Sequence, residues 1–518
     1  MGKQSRATVA TSTKNELGIG NLNMSYILAL DLGTTGNRAF VFDVVGKIVG
    51  QAYQELTQYY PQPGWLEHDA EEIWQDTYRV VQTAIANAKI IPSEIVAMGL
   101  TVQRETCLIW DKTTGKPLHR AIVWQDRRTA PLCNKLQTQG YAQEIYDRTG
   151  LVIDAYFSAT KLRWLLDHVT DVDLKNVLAG TIDTWILWKL TGGKVHATDH
   201  SNASRTMLMN LTSCEWDETL LELFQIPAHI LPEILPSLGK FGVTDSSLLG
   251  AEIPITAVLG DQQAALFGHG CDRPGLMKCT YGTGSFLVAH TGCDIVRSQN
   301  QLISTVAWTQ IRNGSLDVGY ALEGSMFTSG ACIQWLRDGI QLIKTAAETE
   351  AIANQVTDNG GVYFVPAFSG LGAPHWDMSA RGAFFGITAA VQPQHLVRAV
   401  LEAIAYQVKE VVAAISVTCS TPVEKLTVDG GACENNFLMQ FQADLLGIAV
   451  ERPVNRDTTV QGIAFAAGLA GGFWKSYAEL VQQRQIDRYF SPSDRSEYAM
   501  VNFMTWQKAV ERAKYWAE

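Results

Sequence analysis

The stretch Asp31-Leu32-Gly33-Thr34-Thr35-Gly36-Asn37-Arg38 lies between two apolar runs, 26–30 and 39–43. Two glycines in such a turn allow backbone angles with φ > 0 and leave room for a ligand against the chain. The threonine hydroxyls and exposed turn N–H groups suit phosphate oxygens, and Asp31 suits Mg²⁺ held through water. The same residues would also make an ordinary Gly-rich hairpin with a capping Asp. A second stretch of this kind, Tyr281-Gly282-Thr283-Gly284-Ser285, lies between the runs 276–280 and 286–289. Two such turns in one chain suggest a duplicated fold that clamps one nucleotide between its halves. No G-x-x-x-x-G-K-[ST] occurs, which excludes a P-loop.

Other residues offer complementary chemistry. Arg104-Glu105 follows the apolar run 95–100, where α/β folds place ligands. Together their fork of donors and pair of acceptors can hold a vicinal diol, although an Arg-Glu neighbour pair is also a common surface ion pair. Trp124 ends the run 121–124 and suits either an apolar wall beside a small polyol or plain core. Asp261 lies between the strand-like run 255–259 and a helix at 264–267, so it is placed as a helix cap or as a general base for a substrate hydroxyl. Gly430-Gly431-Ala432, after the run 426–429, allows either close ligand approach or close packing. His196 and His200 are four apart but lack a nearby third metal ligand.

These residues need elements to position them. Hairpins open the chain, with a further turn at Gly46-Lys47 and a strand at 48–56. Asp69 caps a helix predicted over 70–88, with Glu72 at the capping-box position and Ile73, Trp74, Thr77, Val80, Val81 and Ile85 on its apolar face. A helix is predicted from 160 to 168, and another begins at 330–336. An amphipathic helix spans 394–415, and a further helix runs from 434 to 447.

With 518 residues, 47% of them hydrophobic and 18% charged, the chain is long enough for two large domains with full cores. A formal net charge of −11 argues against a nucleic-acid surface. Nine cysteines without a C-x-x-C pair point to reduced thiols in a cytoplasmic protein. No apolar run reaches the roughly 18 residues of a membrane span, so no membrane insertion is expected. Residues 1–24 are polar and are expected to form a disordered tail, with Met24 as an alternative start.

From about residue 26 onward the chain resembles the FGGY family of carbohydrate kinases. Gln103-Arg104-Glu105-Thr106, Ala121-Ile122-Val123-Trp124-Gln125, Asn202-Ala203-Ser204-Arg205-Thr206, Gly260-Asp261-Gln262-Gln263 and Tyr281-Gly282-Thr283-Gly284 carry the resemblance, in family order. So do the stretches 156–168 and 361–386. The resemblance implies an α/β, two-domain actin-like ATPase (ribonuclease H-like) fold with an interdomain cleft. It places one domain at 25–269 and the other at 270–518. It implies ATP-dependent phosphorylation of glycerol to sn-glycerol 3-phosphate with release of ADP, with ATP and Mg²⁺ required, in a homodimer or homotetramer.

Position by position, the resemblance gives Arg104, Glu105, Tyr156, Asp261 and Gln262 the glycerol hydroxyls, and Trp124 and Phe286 its carbons. Asp261 becomes the base. Thr34, Thr35, Gly36, Arg38, Thr283, Gly330, Gln334, Gly431 and Asn435 become nucleotide contacts, and Asp31 serves Mg²⁺. Val102 and Leu32 depart from the residues usual among glycerol-specific members, where Asn and Gln stand. Glu252 stands where allosterically inhibited members carry an Arg for fructose 1,6-bisphosphate, and a carboxylate there repels phosphate. Two rival readings are a kinase for a pentulose or longer polyol and a nucleotide-switch ATPase of the same fold.

Overall fold

The computed structural model describes residues 25–170, 172–419 and 421–517. The expectations for residues 1–24 lie outside the described residues. A five-stranded sheet runs in the order Ile255–Gly260, Ile95–Val102, Tyr26–Leu32, Gly36–Phe42, Ile48–Glu55. The first three of these strands are mutually parallel, and the hairpin strands are antiparallel. A seven-stranded sheet repeats the plan. Its strand Leu276–Tyr281 pairs antiparallel with Ser285–Gly292 and parallel with Lys425–Asp429, which pairs parallel with Val450–Pro453. The duplication expected from the two Gly-Thr turns is therefore present at the level of strand order.

Asp69 caps the helix Ala70–Ala88 by accepting from the N–H groups of Glu71 and Glu72. Ile73, Trp74, Thr77, Val80, Val81 and Ile85 are all buried, and each large apolar side chain in that stripe contributes about 1.5–3 kcal/mol by leaving water. Glu72 does not close a capping box. Its carboxylate instead accepts from Thr57 N and Tyr59 Oη, at 3.1 and 3.2 Å, and ties the helix to the preceding loop.

Several boundaries differ from expectation. The strand at 121–124 shortens to Ala121–Ile122, because Val123 N turns to the carbonyl of Leu66 at 3.1 Å. The helix expected at 330–336 is the short Gly330–Gln334, followed by a π-helical turn, Trp335–Gly339. The helix Asp261–Gly268 starts at Asp261 itself, with Gly260 as its cap residue, so Asp261 is not the cap.

The helix Thr458–Ala470 returns from the second half and packs on the first sheet beside Ile27, Ala29, Ala97 and Leu259. It crosses the helix Asp261–Gly268, where Gly268 and Gly462 sit against opposing backbone that a Cβ would strike. Only glycine allows so close a crossing. The two halves are thus joined at the helix that begins with Asp261.

Candidate active site

The parallel strands of each half end beside residues singled out from the sequence. On the first side, Leu32, Val102 and Gly260 close three neighbouring strands, so Asp31, Arg104-Glu105 and Asp261 arrive together.

The first Gly-Thr turn is Gly33-Thr34-Thr35, closed by Gly33 N donating to Gly36 O at 3.0 Å. Neither Gly33 nor Gly36 has a positive φ, contrary to the expectation for this turn. Gly36 is required by crowding: a Cβ there would come within 2.5 Å of the Tyr53 ring and 2.6 Å of Gln54 O. The turn rests on a cradle that the sequence did not reveal. Gln58 Nε2 donates to Thr34 O at 2.9 Å and Gln103 Nε2 to Gly33 O at 3.3 Å. Buried His68 lies between these two glutamines, 2.9 Å from Gln58 Oε1 and 3.3 Å from Gln103 Nε2. Burial pushes the His68 imidazole down to about 4, so it is neutral at pH 7. Thr35 is exposed.

Asp31, buried at the end of its strand, pairs with Arg38 at 2.5 Å, and Arg38 also reaches Asp457 of the second half at 2.7 Å. Burial raises the Asp31 pKa, the Arg38 guanidinium opposes that, and the nearby charges of Asp261 and Asp457 raise it further. A cation would relieve this crowding of carboxylates. Among the described residues no group of three or more His, Cys, Asp or Glu side chains could by itself hold a metal ion. Mg²⁺ keeps several waters and takes one or two carboxylates plus substrate phosphates, and Asp31 is the carboxylate here that could serve it.

Trp124 Nε1 donates to Thr34 Oγ1 at 2.9 Å, linking the first Gly-Thr turn to an aromatic wall. Trp124 meets Tyr156 and Phe286 edge-on, with ring centroids 5.5 and 5.8 Å apart. Phe327 meets Tyr156 at 5.7 Å.

Arg104 is buried among charges. Its Nε lies 3.2 Å from Asp261 Oδ1. Its terminal nitrogens donate to both carboxylate oxygens of Glu323 at 2.6 and 2.9 Å, to Gln263 Oε1 at 3.2 Å and to Tyr156 Oη at 3.3 Å. Glu105, held at φ 61, accepts from Arg205 Nε at 2.6 Å. Gly260 makes room for Arg104, since a Cβ there would lie 2.6 Å from its Cδ. Asp261 is the partly exposed member, with 27% of its side chain open to solvent, and its Oδ1 accepts from Gln262 N at 2.7 Å. The Gln262 side-chain oxygen accepts from Lys278 Nζ, which also donates to Thr280 Oγ1 at 2.9 Å. Glu323, Arg205 and Lys278 were not singled out from sequence. Arg205 lay inside a recognised motif, but nothing marked Glu323 or Lys278.

The second Gly-Thr turn is stapled to the helix Gly330–Gln334. Ser329 N and Ala331 N donate to Thr283 O at 2.9 and 3.1 Å, and Gly330 N to Gly282 O at 2.9 Å. A Cβ on Gly330 would approach Gly282 O to 2.5 Å. Thr283 and Gln334 are exposed. Gly431 has open space where a Cβ would point, and Gly430 takes φ 84 against the Tyr281 backbone. Asn435 caps the helix Asn436–Leu446, accepting from Leu438 N at 2.9 Å, while its Nδ2 donates to Thr349 Oγ1 at 3.0 Å. His196 and His200 bind Ala179 O and Thr309 Oγ1 respectively.

Two duplicated sheets, each with a Gly-Thr hairpin turn, and a carboxylate held beside an Arg at a strand end are the architecture of an actin-like sugar kinase. The chain belongs to the FGGY family of carbohydrate kinases: the family's N-terminal domain matches residues 26–268 and its C-terminal domain residues 277–471. It is 81% identical over 492 residues to the glycerol kinase of Trichormus variabilis, covering 95% of this chain and 98% of that one. It is 68% identical over 498 residues to the glycerol kinase of Acaryochloris marina, covering 95% and 99%. Among solved structures, Plasmodium falciparum glycerol kinase with ADP superposes with a TM-score of 0.86 at 35% identity, covering 95% and 98%. A xylulose kinase from Lactobacillus acidophilus shares the fold, with a TM-score of 0.84 at 22% identity and 94% and 98% covered.

Proposed function

We propose that the chain transfers the γ-phosphoryl group of ATP to a primary hydroxyl of glycerol, giving sn-glycerol 3-phosphate and ADP. The observation that carries the reading is Asp261, a partly exposed carboxylate beside Arg104, whose guanidinium also reaches Tyr156 of the aromatic group Trp124, Tyr156 and Phe286. The high identity to glycerol kinases supports glycerol over a longer polyol.

Phosphoryl transfer asks a protein mainly for positioning and charge stabilisation. Glycerol lies with its carbons on Trp124 and Phe286 and its hydroxyls towards Glu105, Tyr156, Gln262 and Asp261. Arg104 faces Asp261 and holds its carboxylate in place. Asp261 takes the proton of the attacking hydroxyl as the phosphoryl group moves in line. Thr34, Thr35 and Gly36 hold the phosphates from the first half. Thr283, Gly330, Gln334, Gly431 and Asn435 hold the nucleotide from the second. Arg38, bridging Asp31 and Asp457, adds positive charge at their junction. Mg²⁺, when bound, neutralises phosphate charge, and Asp31 is the residue that would hold it. Closure of the halves expels water that would compete as acceptor. On this reading residues 25–269 form the acceptor domain and 270–518 the nucleotide domain.

The test is ADP release over a panel of glycerol, dihydroxyacetone, xylulose, ribulose and gluconate. Glycerol should give the highest kcat/KM. A pentulose or gluconate ahead of it would overturn the substrate assignment.

A further inference from the structure

We propose that Glu323 is a positioning residue for the acceptor site, fixing Arg104 directly and Glu105 through Arg205 from the opposite half of the molecule. The proposal rests on the acceptor site described above. Glu323 lies on the strand Ser315–Met326 of the second sheet, two residues from Ser325, which pairs in register with the acceptor wall residue Phe286. Its carboxylate is wholly buried. It accepts from both terminal nitrogens of Arg104 at 2.6 and 2.9 Å, from Arg205 NH2 at 3.1 Å and from Ser325 Oγ at 2.9 Å. Arg205 in turn grips Glu105 at 2.6 Å. Two guanidinium groups and two carboxylates thus form a neutral buried quartet.

Stability alone is a poor reason for such a quartet. Buried ion pairs contribute little net stability compared with apolar residues of similar size. Arg205 NH1 is also buried with no hydrogen-bond partner among the described atoms, and Glu105 keeps a left-handed backbone that costs energy. The arrangement instead presents one Arg and one Glu in fixed orientation. Glu323 comes from the second half and Arg104, Glu105 and Arg205 from the first, so the acceptor site is complete only when the halves meet. The two guanidiniums outweigh the burial of Glu323 and hold its carboxyl down at about 2, whereas burial pushes the Glu105 carboxyl up against the pull of Arg205 and Arg104.

The test is steady-state kinetics of Glu323→Gln in the full chain, with both substrates varied. The KM for glycerol should rise at least tenfold while the KM for ATP stays within twofold, and Glu323→Asp, which keeps the charge on a shorter arm, should recover part of the loss. A glycerol KM within twofold of the parent, or equal rises for both substrates, would overturn the proposal. If Glu323→Gln does not fold, Arg205→Lys keeps the charge but cannot bridge both carboxylates; it should show the same split, and an unmoved glycerol KM there would overturn the proposal too. If the parent prefers another polyol, the glycerol assignment fails by itself. The KM of the preferred acceptor then becomes the readout, and the positioning role fails only if that KM is unmoved.

Discussion

The two halves share a scaffold but end their strands in different chemistry. In the first half, corresponding strand ends deliver Asp31, Arg104-Glu105 and Asp261 to the cleft. In the second half, the matching strand ends deliver Thr280, then Asp429 followed by Gly430-Gly431, then Pro453 ahead of Asp457. One side offers charged side chains on a prepaired network. The other mixes Asp429 and Asp457 with hydroxyls, glycines and bare backbone. A small uncharged polyol needs directed hydrogen bonds from fixed groups, because a site donor left unpaired penalises the wrong substrate. A nucleotide offers flat and anionic surfaces that backbone can meet closely. On the proposed function, this difference would put most acceptor contacts on the first half and most nucleotide contacts on the second, with Phe286 and Glu323 of the second half reaching the acceptor site.

Substitutions can break this division. The largest effect is expected from Asp261→Asn, which keeps the shape but removes the base: kcat should fall by about 10²–10⁴-fold, with the glycerol KM moving only a few-fold. Near-normal turnover in an ADP-release assay would remove Asp261 from its role. Next is Glu105→Gln. Losing a charge-assisted hydrogen bond is worth about 1.5–3 kcal/mol, so the glycerol KM should rise by roughly 10- to 100-fold while the ATP KM stays put. If the ATP KM moved instead, the halves would have been assigned the wrong way round.

In the second half the corresponding test adds bulk. Gly431 has open space around it, so Gly431→Val should fold normally and raise the ATP KM by about tenfold, roughly 1.4 kcal/mol, with glycerol binding by calorimetry unchanged. The smallest effect concerns the cradle under the first turn. The His68 imidazole is depressed by burial from 6.5 to about 4. Its stabilising contribution is therefore complete above pH 6.5 and is lost as pH falls through 4. Thermal unfolding should show the gap between parent and His68→Gln largest at pH 7, shrinking by on the order of 1–3 kcal/mol by pH 4. His290, also depressed by burial to about 4, keeps its own share in both proteins.

Local patterns made much of the fold legible. Alternating apolar runs and Gly-Thr turns marked both hairpins, Asp69 marked the start of its helix, and Gly447 stops the helix Asn436–Leu446 in a left-handed cap. Asp261 and Arg104-Glu105 were placed at strand ends by the same local logic. What was hidden depends on distant pairing. Glu323 meets Arg104 across 219 residues and Arg205 across 118, and neither separation leaves a periodic trace. The cradle of Gln58, His68 and Gln103 is equally non-local. The glycines of the first turn misled for another reason: composition suggested positive φ, whereas the constraint on Gly36 is the neighbouring backbone carbonyl of Gln54, with the Tyr53 ring over it.

On the proposed function both halves act on one reaction, with the phosphoryl group passing from ATP to the polyol rather than to water. A product balance tests this most directly, by following ADP, inorganic phosphate and glycerol phosphate together, with ³¹P NMR locating the phosphate. One glycerol phosphate should form per ADP, esterified at a primary carbon, with inorganic phosphate at background. ADP accompanied by an equal amount of inorganic phosphate, whether or not glycerol is present, would contradict it.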